Sequence, residues 1–293
     1  MIPAPFDYVR PTTLDEAIRL LAASGDEAKL LAGGHSLLPL VKLRLANPKI
    51  LIDLSRISGL SGIRQEGDQI IIGALTTHYE IESSELLKQA CPLLPETARM
   101  IGDVQVRNRG TIGGSLAHAD PAADLPAAIL ALGAELRLTG SDDERWIKGE
   151  DFFLDLMTTV LKPTEIITEI RVPVLSGRFG TAYLKMPQKA SGFAIVGVAV
   201  WIKVEDKACT AIGVGVTGLG AKPFRAKEVE KKLWGKRIDH TFIDADASHV
   251  DHGIDPLDDI HASAPFRAHL ARVYTHRAIQ EAVKRAGVSM PSR

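Results

Sequence analysis

The sequence is poor in cysteine, in aromatic residues and in long hydrophobic runs, and it carries almost no net charge. Of its 293 residues only Cys91 and Cys209 are cysteine, and 5% are aromatic. Iron–sulfur clusters are usually held by four cysteine thiolates, so this chain cannot hold one by itself. The two cysteines lie far apart in sequence, and a reducing cytosol keeps such thiols unpaired. We expect both to be small buried side chains.

The charge balance and the apolar stretches argue against two further classes of protein. Lys and Arg total 35 against 36 Asp and Glu, a net charge of −1, which disfavours nucleic-acid binding through a general basic field. The longest strongly apolar stretch, residues 194–202, is far shorter than the roughly 20 residues of a membrane helix. The first ten residues hold two prolines and an aspartate where a secretion signal would be basic and then apolar. We expect a cytoplasmic protein without a membrane span.

Length and breaker residues predict two structural units. Domains commonly have about 150 residues, and 45% hydrophobic with 24% charged residues are proportions typical of a chain with a buried core. Pro, Ser and Gly cluster at residues 173–180, between two predicted strands, so we place the division near residue 177. The predicted units are residues 1–176, with parts of about 1–55 and 56–176, and residues 177–293.

Hydrophobic periodicity predicts a mixture of helices and strands. The N-terminal part is typical of a small β–loop–α–β unit, and the part after residue 180 of an antiparallel meander followed by helices. Asp124 is predicted to cap a helix, because a carboxylate accepts the free amides of a first turn. The predicted helices cover residues 15–23, 36–44, 80–89, 93–101, 125–132, 226–234 and 263–286, and the strands 29–32, 50–54, 63–64, 70–72, 135–139, 145–148, 165–172, 181–185, 194–205 and 208–217.

Two stretches suggest a known binding motif, but neither is assigned that function. Residues 213–218 match the dinucleotide fingerprint G-x-G-x-x-G, which has to be followed directly by the start of a helix. Gly220 and Pro223 follow instead and indicate a loop. We interpret these glycines as a glycine-rich strand end. Residues 244–261 are dense in Asp and His, yet their spacing matches no zinc or calcium motif, so we assign no metal site. The sequence also has no nucleophile elbow, Walker loop or zinc-protease motif.

Two double-glycine segments remain as candidate binding elements. Adjacent glycines permit positive φ and remove Cβ atoms, so backbone amides can approach a large anionic ligand. A short helix follows the first segment, and its free amides would face the same anion. One such segment alone is as well explained by a turn, but two can clasp both phosphates of a pyrophosphate. The segments are Ala32-Gly33-Gly34-His35-Ser36 and Thr111-Ile112-Gly113-Gly114-Ser115, with hydroxyls at Ser36, Thr111 and Ser115.

These residues closely resemble the two flavin motifs of a known family. Residues 32–39 (AGGHSLLP), 111–115 (TIGGS) and 120–126 (DPAADLP) resemble the FAD-binding medium subunit of molybdenum hydroxylases, the family of aerobic carbon monoxide dehydrogenase and the xanthine dehydrogenases. The resemblance covers nearly the whole chain. It implies an α+β fold with a two-part FAD-binding domain of the vanillyl-alcohol oxidase (PCMH) type. A smaller α+β domain, a three-stranded antiparallel sheet plus helices, would follow.

The resemblance also implies roles for individual residues. Asp124 matches an acidic residue that hydrogen-bonds the ribose region of the cofactor, and Lys185 matches a lysine near the polar edge of the flavin ring. Phe193 falls where carbon monoxide dehydrogenases place a tyrosine, and Ser115 where the family commonly has asparagine. Asp124, Lys185 and Phe193 also have plain structural interpretations, as a helix cap, a surface charge and a core aromatic. The expected cofactor-binding residues are Leu31, Ala32, Gly33, Gly34, His35, Ser36, Leu37, Leu38, Ile101, Thr111, Ile112, Gly113, Gly114, Ser115, Asp124, Ile167, Lys185 and Phe193, with no catalytic residue and no metal ligand on this chain.

By the same resemblance, the chain is the FAD-binding electron-transfer subunit of a heterotrimeric oxidoreductase. A large subunit would oxidise the substrate at a molybdenum cofactor, and a small subunit with two [2Fe–2S] clusters would pass electrons to FAD. An external acceptor such as a quinone, NAD or oxygen would remove them, and two heterotrimers would pair. Two alternatives stay open, a free-standing flavin-dependent oxidase and a flavin-free scaffold subunit.

Overall fold

The chain begins with a small parallel sheet, in a computed structural model that describes residues 2–141, 143–238 and 249–288. Its strands and helices are β1 (Asp7–Val9), α1 (Leu14–Ser24), β2 (Ala28–Leu31), α2 (Leu37–Lys42) and β3 (Ile50–Asp53). The strand order is β1-β3-β2, and both neighbouring pairs are parallel. The predicted β–loop–α–β unit is therefore confirmed, with β1 as an additional edge strand.

The ends of α1 follow from its sequence. The side chain of Thr13 accepts a hydrogen bond from the amide of Glu16 at 3.2 Å and so caps the first turn. Gly25, at φ +51°, ends the helix in a conformation that costs glycine little. The buried residues Ala17, Ile18 and Leu21 recur at helical spacing. Burial of a side chain as large as Ile18 or Leu21 stabilises the fold by about 1.5–3 kcal/mol.

The second part of the chain forms a larger antiparallel sheet with helices packed against it. Its elements are β4 (Ile63–Glu66), β5 (Gln69–Gly73), α3 (His78–Ser83), α4 (Glu85–Ala90), α5 (Leu93–Arg99), α6 (Val104–Arg107), α7 (Ile112–His118), α8 (Leu125–Ala131), β6 (Glu135–Thr139), β7 (Glu144–Lys148), α9 (Gly149–Phe152), β8 (Phe153–Asp155), β9 (Thr158–Thr159) and β10 (Ile166–Pro173). The five-stranded sheet has the order β4-β5-β10-β6-β7, and β8 and β9 form a separate hairpin.

The predicted helix at residues 80–89 is wrong in one respect, because it is two helices. Ser84 has ψ +115° and leaves the helical conformation, which ends α3. Its side chain then accepts a hydrogen bond from the amide of Leu87 at 3.2 Å and starts α4. A serine inside an apolar helical pattern can thus be a cap for the helix that follows.

The third part is a four-stranded antiparallel sheet covered by two helices. Its elements are β11 (Phe179–Pro187), β12 (Ala194–Glu205), β13 (Ala208–Thr217), β14 (Phe224–Arg225), α10 (Lys227–Leu233) and α11 (Ala264–Arg285). The order is β11-β12-β13-β14. The predicted three-stranded meander is confirmed, and the two-residue β14 is a correction, since so short a strand leaves no alternation in the sequence.

Helix α8 packs against both β12 and β13 of the third sheet. This close approach explains the false dinucleotide fingerprint. A Cβ atom on Gly213 would lie 2.0 Å from the carbonyl oxygen of Ala131, and one on Gly215 would lie 1.9 Å from that of Ala127. The glycines of β13 therefore let the backbone of α8 touch the strand, and the interpretation as a glycine-rich strand is confirmed.

Buried hydrophobic side chains form three clusters within the described residues, one for each part of the chain. Cys91 belongs to the cluster of the second part and Cys209 to that of the third. Both cysteines are buried, as expected. Among the helices of the described ranges, none is both long enough and apolar enough to cross a membrane.

The acidic, histidine-rich stretch at residues 244–261 is described only from residue 249 onward. Residues 244–248 lie outside the described residues. Across the described part of the chain, no group of three or more His, Cys, Asp or Glu side chains is placed to hold a metal ion.

Candidate functional site

A cavity of about 630 Å³ lies where all three parts of the chain meet. One wall is the segment between β2 and α2, a second is the start of α7, and a third is the turn at residues 191–193 between β11 and β12. The volume falls within the range of small-molecule and cofactor sites, about 300–1,000 Å³.

The first glycine segment crosses the cavity wall between β2 and α2. Gly34 has φ +79°, a left-handed conformation that favours glycine. A Cβ atom on Gly33 would lie 2.1 Å from the carbonyl oxygen of Arg109. Within the described part of the chain, the amides of His35 and Ser36 have no hydrogen-bond acceptor. This segment therefore offers free backbone donors to a ligand.

The second glycine segment is not the loop that the sequence predicts. Residues 112–118 form α7, and Thr111 caps it by accepting a hydrogen bond from the amide of Gly114 at 3.2 Å. The amide of Ile112 donates to the carbonyl of Thr76, and that of Gly113 to the carbonyl of Ala74. These amides are already paired inside the protein, so the expectation that they face an anion is wrong.

What the second segment gives the cavity is the space left by absent side chains. A Cβ atom on Gly114 would lie 3.6 Å from the Cβ of Ala32, so the two glycine segments face each other. A Cβ atom on Gly113 would lie 2.6 Å from that of Ala74. Gly113 therefore lets α7 begin directly on the end of the five-stranded sheet.

His78 lies beside these segments, and sequence reasoning missed it. Its side chain lines the cavity at 5% exposure, and a Cβ atom on Gly110 would lie 2.8 Å from its Nε2. Its Nδ1 is buried without a hydrogen-bond partner among the described residues. The pKa of His78 is lowered to about 4, mainly by burial and to a smaller extent by the charges of His35 and Arg107. Near neutral pH the cavity therefore contains a neutral imidazole with an unpaired polar atom.

Asp124 lines the cavity at the start of α8. Its carboxylate makes no capping bond to the helix, which corrects the sequence expectation. It accepts hydrogen bonds from the phenol of Tyr183 and from the ammonium of Lys185 instead. Burial raises the pKa of Asp124 to about 6, although Lys185 and Tyr183 both act to lower it.

Phe193 forms the third wall, contributed by the turn between β11 and β12. The residue is 41% exposed, and its amide donates to the hydroxyl of Ser191 at 3.3 Å. Gly192 has φ +75°, and a Cβ atom there would lie 3.6 Å from the Cα of Gly102. The turn thus lies against the segment between α5 and α6, and Phe193 is not the core aromatic of the plain structural interpretation.

Most of the residues expected at the site line this one cavity. Those on its wall are Ala32, Gly33, Gly34, His35, Ser36, Leu37, Ile101, Thr111, Gly113, Gly114, Ser115, Asp124, Ile167 and Phe193. Four lie off the wall: Leu31, Leu38, Ile112 and Lys185. Ile112 is fully buried in the core of the second part, and Lys185 lies behind Asp124.

The wall also contains residues that sequence reasoning missed. Most are apolar or glycine, and no motif marks them; only Asp120 and Ala123 belong to the quoted segment at residues 120–126. The further lining residues are Lys29, Leu30, Leu40, Ala46, Leu54, Ala74, Leu75, His78, Gly102, Val106, Gly110, Ala117, His118, Asp120, Ala123, Met157, Leu161, Glu165, Ile166, Ser191 and Gly192.

Comparisons with known families and structures agree with this architecture. The family described as "FAD binding domain in molybdopterin dehydrogenase" matches residues 4–175, and "CO dehydrogenase flavoprotein C-terminal domain" matches residues 181–282. The carbon monoxide dehydrogenase medium chain of Afipia carboxidovorans is 37% identical over 98% of this chain and 99% of its own. The glyceraldehyde dehydrogenase medium chain of Sulfolobus acidocaldarius is 38% identical over 96% and 99%.

A solved structure gives the same result. Carbon monoxide dehydrogenase from Hydrogenophaga pseudoflava superposes with a TM-score of 0.95 at 39% identity, covering 97% of this chain and 99% of that one. The predicted fold, an FAD-binding domain followed by a smaller second domain, is confirmed. The chain belongs to the FAD-binding medium subunits of the molybdenum hydroxylases, the oxidoreductase family of the carbon monoxide and xanthine dehydrogenases.

Proposed function

We propose that this chain takes electrons from [2Fe–2S] clusters on a small partner subunit and passes them to an external acceptor such as a quinone, NAD or oxygen. A large partner subunit would oxidise the substrate at a molybdenum cofactor. FAD, when bound, supplies the redox chemistry of this step. The chain itself contributes position, electrostatics and the exclusion of water.

The observation that carries the proposal is the cavity built from both glycine segments. The missing Cβ atom at Gly33 lets the first segment lie against the backbone of Arg109, and Gly114 lines the cavity without a side chain that would project into it. The free amides of His35 and Ser36 suit a phosphate, because amide donors in a nest bind anions. His78 adds a buried, neutral imidazole to the same wall. The residues present thus fit a dinucleotide with a diphosphate.

We assign roles along the cavity accordingly. The first segment would hold the diphosphate with its amides and with the hydroxyl of Ser36. Asp124 would accept a hydrogen bond from a ribose hydroxyl, since an ionised carboxylate has lone pairs beyond those that Tyr183 and Lys185 use. Ile167 and Phe193 would pack against the flavin ring, with Ile101 near the same face.

The source of electrons must lie on another chain. Cys91 and Cys209 sit in separate hydrophobic cores, and burial raises the pKa of each thiol to about 12. Such thiols stay protonated and do not ligate iron. Relatives of this chain are called medium chains, which supports a complex with a small and a large partner, and we extend this to a pair of heterotrimers. The cytoplasmic location stays a prediction.

We also propose that the chain divides near residue 177. The gap between the two family matches, residues 176–180, supports this position. So does the change from the five-stranded to the four-stranded sheet between β10 and β11.

The test is electron transfer between purified subunits. The full chain loaded with FAD is mixed rapidly with the chemically reduced small iron–sulfur subunit of the same complex. We expect the oxidised flavin band to disappear as the cluster is reoxidised, and a small subunit stripped of its clusters should leave the flavin oxidised. A flavin that stays oxidised beside a reduced cluster would overturn the proposal. Turnover of an organic substrate by the isolated chain would instead indicate a free-standing oxidase. A chain that does not bind FAD would indicate a scaffold subunit.

A further inference from the structure

Two side chains of β11 lie behind the cavity wall and point at the start of α8. Tyr183 and Lys185 are two residues apart on the strand, so they emerge on the same face of the sheet. Both are buried. The phenol of Tyr183 donates to one oxygen of the Asp124 carboxylate, and the ammonium of Lys185 donates to the other at 2.9 Å. Donors from one strand therefore hold both oxygens of this carboxylate.

The neighbouring strand leaves room for this arrangement. Gly197 of β12 is the register partner of Lys185, and a Cβ atom on Gly197 would lie 2.4 Å from the phenol oxygen of Tyr183. Any larger residue at position 197 would displace the Tyr183 hydroxyl. The position of the Tyr183 ring beside Asp124 thus depends on residues of both β11 and β12.

Lys185 also reaches two backbone carbonyls. Its ammonium donates to the carbonyl of Met100 at 2.7 Å and to that of Gly192 at 2.6 Å. Together with Asp124, these acceptors use all three of its N–H donors. Lys185 itself does not line the cavity.

Each acceptor of Lys185 lies on, or directly beside, a different part of the cavity wall. Met100 precedes Ile101, and Gly192 precedes Phe193, both of which line the cavity as Asp124 does. One buried ammonium therefore joins the end of α5, the start of α8 and the turn between β11 and β12. A shift of this ammonium would move three sides of the site at once.

We propose that Tyr183 and Lys185 are positioning residues, which fix the Asp124 carboxylate and the Phe193 turn in the geometry that binds the cofactor without touching it. This inference rests on the proposed binding of FAD in the cavity. It assigns Lys185 a different task from the flavin contact that the family resemblance implies. Tyr183, which no motif marks, acts through Asp124 alone, because its hydroxyl is buried behind that carboxylate.

The decisive variant is Tyr183→Phe in the full chain, since it removes a single hydroxyl and keeps the buried ring. The matched control is Tyr274→Phe, where among the described residues the lost hydroxyl hydrogen-bonds only the sulfur of Met186, at 3.6 Å. The dissociation constant of FAD is measured by quenching of flavin fluorescence, and the environment of the ring by the visible circular dichroism of bound FAD. We expect Tyr183→Phe to weaken FAD binding by about tenfold, the effect of one lost hydrogen bond to a charged group. It should also change the dichroism.

Lys185→Met is the second variant, with Lys203→Met as its control in the same sheet. Lys203 pairs with Glu205 at the surface. We expect Lys185→Met to weaken FAD binding more than Tyr183→Phe does, because it frees the turn at Gly192 as well as Asp124. Both controls should retain the affinity and dichroism of the wild-type chain.

The outcomes separate this inference from the proposal beneath it. Wild-type affinity and dichroism in Tyr183→Phe would overturn the positioning role and leave FAD binding intact. A role confined to folding would lower the thermal midpoint of the cofactor-free chain without changing either flavin measurement, and would also overturn it. A wild-type chain that binds no FAD would refute the cofactor assignment, and the positioning role with it.

Discussion

A Cβ atom on Gly33 would lie 2.1 Å from the carbonyl oxygen of Arg109, so the first glycine segment rests directly on the backbone that leads into the second. The two segments are more than seventy residues apart in sequence. Their contact fixes the width of the cavity between them. Any side chain at position 33 must push them apart.

Gly33→Ala should therefore weaken FAD binding. The added methyl group meets rigid backbone, and overpacking of this kind costs about 1–3 kcal/mol. Where this strain falls on the FAD-bound form, the affinity falls by about five- to 150-fold. Gly140→Ala is the control, because its Cβ would lie 3.5 Å from its nearest neighbours, an ordinary contact. Fluorescence titration with FAD measures both. Equal affinities would show that the cavity tolerates a wider first segment.

The motif residues were predictable because glycine requirements act locally. Gly33, Gly34 and Gly114 are marked by the sequence itself as members of double-glycine segments. Gly33 lies against the backbone of Arg109, and Gly34 has a positive φ that favours glycine. The state of the second segment was not predictable. Whether the amides of residues 112 and 113 are free depends on the carbonyls of Thr76 and Ala74, which tertiary structure brings to them.

The charged part of the site shows the same limit. Asp124 and Lys185 were both identified from the sequence, but their pairing was not, because it depends on how β11 packs against the start of α8. Tyr183 was missed although it stands two positions before Lys185, a spacing that places both on one face of a strand. His78 precedes the predicted helix at residues 80–89 and is the first residue of α3, and no motif in the sequence distinguishes it from an ordinary core position.

Arg267 should be among the most important side chains for the stability of the third part. It is 2% exposed, and its guanidinium donates to the carbonyls of Ile195 and Gly218 at 2.6 and 2.7 Å. Arg267→Met leaves both buried acceptors unpaired, and we expect the free energy of unfolding to fall by about 2–4 kcal/mol. Arg272→Met removes an ion pair of a half-exposed arginine with Asp251 and should cost less than about 1 kcal/mol. Urea unfolding measures the free energy of unfolding of both variants. Similar losses in the two would contradict the larger stabilising role of Arg267.

His78 should make the fold sensitive to acid. Its pKa is about 4 in the folded chain and about 6.5 when exposed, so between these values the unfolded state binds more protons. Above pH 6.5 this group does not reduce the free energy of unfolding. As the pH falls from 6.5 toward 4, the free energy of unfolding decreases by about 3 kcal/mol. His78→Phe should remove this loss. His269→Phe, at an exposed position, is the control.

Urea unfolding at a series of pH values measures the difference between His78→Phe and wild type. Asp124 titrates in the same window with the opposite sign, because its raised pKa makes the folded state bind more protons. It is present in both proteins, so its contribution cancels in the difference. A difference that does not change with pH would show that His78 is protonated as easily in the folded chain as outside it.

Both thiols should be inert in the folded protein. Burial raises the pKa of Cys91 and of Cys209 to about 12, and the thiolate is the reactive form. At pH 8 we expect no labelling by a thiol-specific disulfide reagent in native buffer and complete labelling in denaturant. Rapid labelling without denaturant would mean that one of the two hydrophobic cores opens readily.

The central claim is that the cavity between the two glycine segments binds FAD, and Gly114→Asp tests it most directly. A Cβ atom on Gly114 would lie 2.8 Å from the capping hydroxyl of Thr111, and Gly114 faces the cavity, so the variant adds both bulk and negative charge. Gly235→Asp is the control, because no atom of the described residues lies within 4 Å of its Cβ position and aspartate tolerates its positive φ.

The measurement is the absorption spectrum of each full-length protein after incubation with FAD and removal of free ligand, with near-ultraviolet circular dichroism to confirm folding. We predict a retained flavin spectrum for the wild type and for Gly235→Asp, and none for folded Gly114→Asp. A folded Gly114→Asp chain that retains as much FAD as the wild type would contradict the account.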